Sequence, residues 1–155
     1  MALFIDTFVN KIDRKGRVSV PAPFRAALTG QAFHGIVALP SFRFKAVQCA
    51  GIDWMEGIKA RLSSNADLFS EEHDDLTMAL FSSAKQLAFD GEGRVQLPED
   101  LAKEANISDV AAFVGRGEHF EIWEPAALDR YKAEARKRAL EKGRTLRTAR
   151  TDGQP

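Results

Sequence analysis

Four cations fall within seven residues near the start of the chain: Lys11, Arg14, Lys15 and Arg17, with Asp13 and Gly16 between them. Such a cluster can neutralise phosphates. Arginine can also select, because its planar fork matches a carboxylate, a phosphate or the O6/N7 edge of guanine with two hydrogen bonds. The pattern returns further on. Residues 13–21 read Asp-Arg-Lys-Gly-Arg-Val-Ser-Val-Pro, and residues 90–98 read Asp-Gly-Glu-Gly-Arg-Val-Gln-Leu-Pro. At an offset of 77, five of the nine positions are identical, where chance gives roughly one in twenty. The chain is internally duplicated.

The recurring chemistry is an Asp four residues before an Arg, with a Gly between them. Gly16 and Gly93 supply the positive φ of a tight reversal, and Asp13 and Asp90 can bond loop amides. On the motif alone two readings stand side by side. Each Asp either braces the Arg as part of the loop or orients Arg17 and Arg94 outward toward an anion. Lys11, Arg14 and Lys15 are likewise either a solvated basic turn or phosphate contacts. The copies are electrostatically unequal: Glu92 stands where the first loop has Lys15, and Gly91 where it has Arg14.

Other chemistry-bearing residues assemble nothing. His34, His73 and His119 are far apart, with no second ligand at metal spacing. Cys49, the one cysteine, reads as a buried structural thiol. Gly115-x-Gly117 is too short for a dinucleotide loop. Trp54 and Trp123 read as core or interface anchors. The expectation is a protein that is not an enzyme and uses no metal, cofactor or small-molecule substrate.

The loops need strands and helices to hold them. Phe4–Val9 and Lys85–Phe89 read as strands leading into each loop, and Val18/Val20 and Val95/Leu97 alternate as strands leaving it. Pro21 and Pro98 open short helices, with Phe24/Leu28 and Leu101/Ala105 on one face. Gly30 and Asn106 are suitable helix ends. Gly35–Leu39 with Phe44–Gln48, and Val110–Val114 with His119–Trp123, close the two units. After a three-residue shortening Ile36 aligns with Val110, and 46–49 with 120–123. Between the copies, Ile52 to about Arg61 and Glu71 to about Ser83 read as helices separated by Ser63-Ser-Asn65. Leu76 and Leu80 share a face of the second. From Pro125 the chain is helix-prone, and Thr145–Pro155 reads as disordered.

Formal net charge is zero over 155 residues, but charge is segregated. Residues 130–150 hold nine Lys or Arg against two Glu, while acid concentrates in 67–75. The tail reads as solvated, or as an aid to non-specific DNA affinity. The start of the chain lacks a signal-peptide pattern, and no apolar run reaches the roughly 20 residues of a membrane span. A cytoplasmic protein without membrane contact is expected.

The segment Asp13 to Arg25, repeated from Asp90 to Pro98, resembles the MraZ family, whose members carry two SpoVT–AbrB-type units in one chain. The resemblance covers residues 1–128. It implies a mainly β, α+β fold: tandem swapped-hairpin AbrB-like units at 7–54 and 83–126 forming one pseudo-symmetric β-barrel-like core. A helical linker (55–82) and a C-terminal helix with a basic, partly disordered tail (127–155) complete the expected organisation. It further implies a nucleoid-associated regulator, generally a repressor of the division and cell-wall gene cluster including its own gene. Its partners would be double-stranded promoter DNA with repeated elements and other copies of itself in a ring. DNA-binding residues carried over are Lys11, Arg14, Lys15, Arg17 and Arg94; loop-organising residues are Asp13, Gly16, Asp90 and Gly93. Two alternatives stay open. One is an antitoxin-like protein-interaction module whose acidic 67–75 segment engages a basic partner; the other is a structural ring without a regulatory role.

Overall fold

Val18 and Val95 are only 1% exposed, while Ser19 and Gln96 beside them face solvent. That alternation makes each short strand a two-faced ribbon with its valine turned inward. A computed structural model of the chain describes residues 2–65, 67 and 69–143. In it, β2 (Arg17–Ser19) pairs antiparallel with β6 (Arg94–Gln96), placing Val18 opposite Val95. The two copies therefore meet at their motif strands.

The remaining strands form one six-stranded antiparallel sheet. These are β1 (Thr7–Lys11), β3 (Gly35–Pro40), β4 (Val47–Ala50), β5 (Lys85–Ala88), β7 (Val110–Gly115) and β8 (Phe120–Trp123), in the order β1-β7-β8-β4-β3-β5. Exchanging the copies reads this order backwards, so the sheet is pseudo-symmetric about the β8–β4 seam. The first strand of each copy bonds to the other copy's third strand, β1 to β7 and β5 to β3. The fold is α+β, with an antiparallel sheet and short helices.

Helices α1 (Ala22–Ala27) and α4 (Glu99–Glu104) begin directly after Pro21 and Pro98. Proline suits that place because its missing N–H has no partner in a first turn and its φ is already set. Asn106, at φ 59°, ends α4 in the left-handed region, and Gly30, at φ 88°, does the same just beyond α1. Each helix lays one side chain into the core, Phe24 and Leu101. Phe24 is 4.8 Å from the Phe120 ring, 5.3 Å from Phe4 and 5.5 Å from Phe8. These separations are typical of favourable aromatic pairs.

Four sequence expectations need correction. The first strand starts at Thr7 because Asp6 adopts φ 81° and its Oδ1 accepts the Thr7 amide; Phe4 still bridges to Gly117 beyond this kink. The strand expected at Phe44–Gln48 begins at Val47, since Ser41 Oγ accepts the amides of Arg43 and Phe44 and holds them in a turn. Helix α2 (Ile52–Asn65) runs through the supposed Ser63-Ser-Asn65 break, Ser64 bonding back to the Arg61 carbonyl as helical serines can. Helix α3 spans Glu71–Phe81, and Leu76 stays exposed.

The fourth concerns the repeat. Core-facing Ile36 and Ala38 correspond to Ala111 and Phe113, and Val47 and Cys49 to Phe120 and Ile122. The offsets are 75 and then 73, not a uniform 74.

Residues up to 124 form one compact unit, and those from 125 a second. The second contains α5 (Pro125–Lys142), with Arg138 3.7 Å from Glu134 and 5.8 Å from the Tyr131 ring centre. Arg144, Arg147, Arg150 and the stretch expected to be disordered lie outside the described residues. None of the described helices is long and apolar enough to cross a membrane.

Phe24→Ala would empty the meeting point of three rings. It is expected to destabilise the protein by about 3–5 kcal/mol, read as a lowered urea midpoint. A loss below about 1 kcal/mol would show that the aromatic cluster is not a main support of the core.

Candidate nucleic-acid interface

Both motif loops fold around their aspartates in the same way. Asp13 Oδ1 accepts the amides of Lys15 (3.0 Å) and Arg17 (2.9 Å), while Oδ2 accepts Arg17 Nε at 2.7 Å. Asp90 repeats this with the amides of Glu92 (2.8 Å) and Arg94 (2.9 Å) and with Arg94 Nε at 2.8 Å. The backbone closes each turn, Gly16 N donating to Asp13 O and Gly93 N to Asp90 O. Gly16 (φ 84°) and Gly93 (φ 78°) hold the positive φ that this reversal needs. The glycine carbonyls then cross over: Leu97 N donates to Gly16 O and Val20 N to Gly93 O. Each loop is thereby tied to the other copy.

With Val18 and Val95 inward, Arg17 and Arg94 lie on the outer face of the β2–β6 ribbon. Their side chains keep 34% and 25% exposure. Asp13 Oδ2 also lies 3.9 Å from Arg94 Nη1, so one carboxylate joins both guanidinium groups. Arg94 has a third acidic neighbour, Glu92, at 3.7 Å. Lys11, Arg14 and Lys15 are all exposed on or beside the first loop. The amide of Arg17 lowers the Asp13 carboxyl below the usual aspartate range, and the amide of Arg94 does so for Asp90. Hydrogen bonding to Asp90 raises the Arg94 guanidinium.

Two neighbours had no assigned role in the sequence reading. Gln96 Nε2 donates to the Lys15 carbonyl and lies over Gly16, where a Cβ would come within 2.8 Å of that nitrogen. Arg25 does the corresponding job at Gly93, where a Cβ would sit 2.5 Å from Arg25 Nη1. Arg25 lies within the quoted motif; only the fold shows that it reaches the other copy's loop.

The remaining candidates sit elsewhere. Cys49 is fully buried, and burial pushes its thiol up. His119 Nε2 is 3.7 Å from Glu121, a buried carboxylate that also accepts Trp123 Nε1 at 2.9 Å and Arg116 Nη1 at 3.2 Å. Burial opposes the charge on Glu121, but the bonds from His119 and Trp123 and the charge of Arg116 outweigh it and hold its carboxyl below the usual range. Trp123 is buried and Trp54 half-buried.

Residues 80–150 match the family described as "MraZ protein, putative antitoxin-like". A protein of Rickettsia peacockii named "Transcriptional regulator MraZ" is 44% identical over 149 residues, 96% of this chain and 99% of its own length. A protein of the same name from Rickettsia bellii is 47% identical over 148 residues, covering 95% and 98% of the two chains. The chain belongs to the MraZ family. The match to 80–150 includes the second Asp90–Arg94 loop, and the relatives cover both copies. The likeness thus spans both copies of the duplication.

Because both aspartates are held below their ordinary value of about 3.9, their bonds support the fold above that pH. The support is lost as pH falls from about 4 through the lowered values. Urea midpoints measured from pH 6 to pH 2.5 should fall more steeply for the native protein than for Asp13→Asn/Asp90→Asn. Parallel curves would mean that these carboxylates do not couple to folding.

Proposed function

We propose that the chain is a sequence-specific DNA-binding transcriptional regulator. In this reading it represses the division and cell-wall gene cluster, including its own gene, from the cytoplasm as a nucleoid-associated, homo-oligomeric ring on repeated promoter elements. The observation that carries the reading is the pair of aspartate-braced arginines on the outer face of one β-ribbon. It is joined by the relatives' name, which says that they regulate transcription. A two-stranded ribbon fits a major groove, and an arginine fork can reach a guanine edge there. The swapped-hairpin, barrel-like arrangement of units 7–54 and 83–126 belongs to the same reading, supported by the reciprocal pairing of β1 with β7 and β5 with β3.

Within each chain, Arg17 and Arg94 read bases, Lys11, Arg14 and Lys15 contact phosphates, and Asp13, Gly16, Asp90 and Gly93 shape the loops. Few contacts per chain make single-site binding weak. Repeated promoter elements facing repeated chains raise the effective concentration and recover affinity.

A second reading, an antitoxin-like interaction module, is supported by α3. Its first turn carries Glu71, Glu72 and Asp74, and Met78 beyond them is 67% exposed. A basic protein partner would suit that surface. The acidic turn is remote in sequence from both loops, so neutralising it should abolish partner capture while leaving promoter binding intact.

A gel shift on the DNA upstream of the gene tests the first reading. Arg17→Ala should weaken binding by about tenfold or more, the scale of one lost bidentate base contact. Arg94→Ala should cost less, because three carboxylates already engage that guanidinium. Unaltered binding by folded Arg17→Ala protein would remove the base-reading role.

A further inference from the structure

The two loops are built alike but charged oppositely. Between Asp13 and Arg17 there are three cations and one carboxylate; between Asp90 and Arg94 there are one cation and two carboxylates. Facing a phosphate backbone, the second loop by itself repels what the first attracts. The structure supplies a cation from elsewhere.

Arg25, on α1 of the first copy, reaches the second loop. Its Nε donates to the Val20 carbonyl at 3.0 Å, which fixes the side chain beside the β2–β6 ribbon. Its guanidinium lies over Gly93, in a concavity also lined by Thr29, Gln31, His34, Asp90 and Gly91. At Gly16 the equivalent cover is the neutral amide of Gln96. Position 102, equivalent to Arg25 on α4, is alanine, and it lines the matching concavity beside the first loop. The cation-rich loop thus receives an uncharged cover, and the acidic loop a guanidinium.

Arg25 is not spent on the carboxylates near it. Among the described residues no carboxylate oxygen lies within 4.0 Å of its guanidinium nitrogens, although Asp90 lines the same concavity, and its terminal nitrogens make no hydrogen bond. A half-buried guanidinium tethered through Nε alone leaves its outer fork for an anion. That is the chemistry of a phosphate contact.

We propose that Arg25 is a phosphate-binding residue of the second loop. It is supplied by the first copy and takes the part that Arg14 and Lys15 play at the first loop. The inference rests on the DNA-binding reading and assigns it a residue.

The test uses the full chain and a duplex carrying its own upstream sequence, titrated across a range of salt. Arg25→Gln keeps a side-chain amide for the Val20 carbonyl and removes the charge. It should bind several-fold to about tenfold more weakly, and the slope of log affinity against log salt should fall by about one per bound chain. Adding Glu92→Lys, which gives the second loop the residue of the first, should restore both affinity and slope. A native slope in Arg25→Gln overturns the inference, as does a loss that Glu92→Lys does not recover in protein with an unaltered unfolding midpoint. If the native protein binds no DNA, the functional reading itself fails. If the native protein binds and Arg17→Ala does not, while Arg25→Gln is indistinguishable from native, only the role of Arg25 fails.

Discussion

The carboxylates of Asp13 and Asp90 each collect three hydrogen bonds from their own loops, two from amides and one from the Nε of an arginine four residues on. An anionic acceptor makes such bonds short and strong, and two amides converge on it only if the intervening glycine adopts positive φ. One oxygen therefore sets the backbone and the other aims the side chain. Using Nε for the brace matters most at Arg17, whose terminal nitrogens take no part in it, whereas Arg94 Nη1 also lies within 4.0 Å of Asp13 and Glu92. A bracing role for the aspartate is then compatible with the proposed role of the arginine in contacting DNA. A brace that consumed both ends of the fork would have left nothing to present.

The braced loops would wander if they were anchored only to themselves. Their glycine carbonyls accept amides from the opposite copy, and Val18 meets Val95 beneath them. Loop position is thus set by the junction between the copies. Burying the two valines and joining the ribbon are a single event, so local packing and site geometry cannot be separated. The sheet extends the dependence, since each copy's first strand completes its hydrogen bonding on the other copy. Neither half has its own closed set of backbone partners.

Much of this was legible in the residues. The duplicated motif, the proline-initiated helices and the inward valines follow from spacing and side-chain type. The register of the last two strands of each copy was not. Gly35–Leu39 is buried along its whole length, so no alternation of polar and apolar residues distinguishes one face from the other, and a one-residue slip goes unseen. The Ser41 turn and the Asp6 kink escaped for another reason: each depends on one side-chain oxygen capturing nearby amides, an event with no periodicity. The reach of Arg25 to Gly93 was the least legible, because it joins residues 68 apart through a helix whose placement only the fold defines.

Duplication within one chain has a consequence that assembly from identical subunits would forbid. In a symmetric dimer every loop is the same sequence, and whatever lies over one glycine lies over the other. Here the two halves share the fold while their positions diverge: Lys15 against Glu92, Arg25 against Ala102, Ser19 against Gln96. The core shows the same freedom, with Phe113 and Phe120 facing inward where the first copy has Ala38 and Val47, and Phe24 where the second has Leu101. Volume lost in one copy can be filled from the other, and charge lost from one loop can be returned by the other copy's helix. Such exchanges are stable only because the copies are interleaved. A guanidinium on α1 can serve the second loop because the ribbon holds that loop against the first copy. The inequality of the loops is therefore compatible with a common site, and the covalent link between the copies is what allows it.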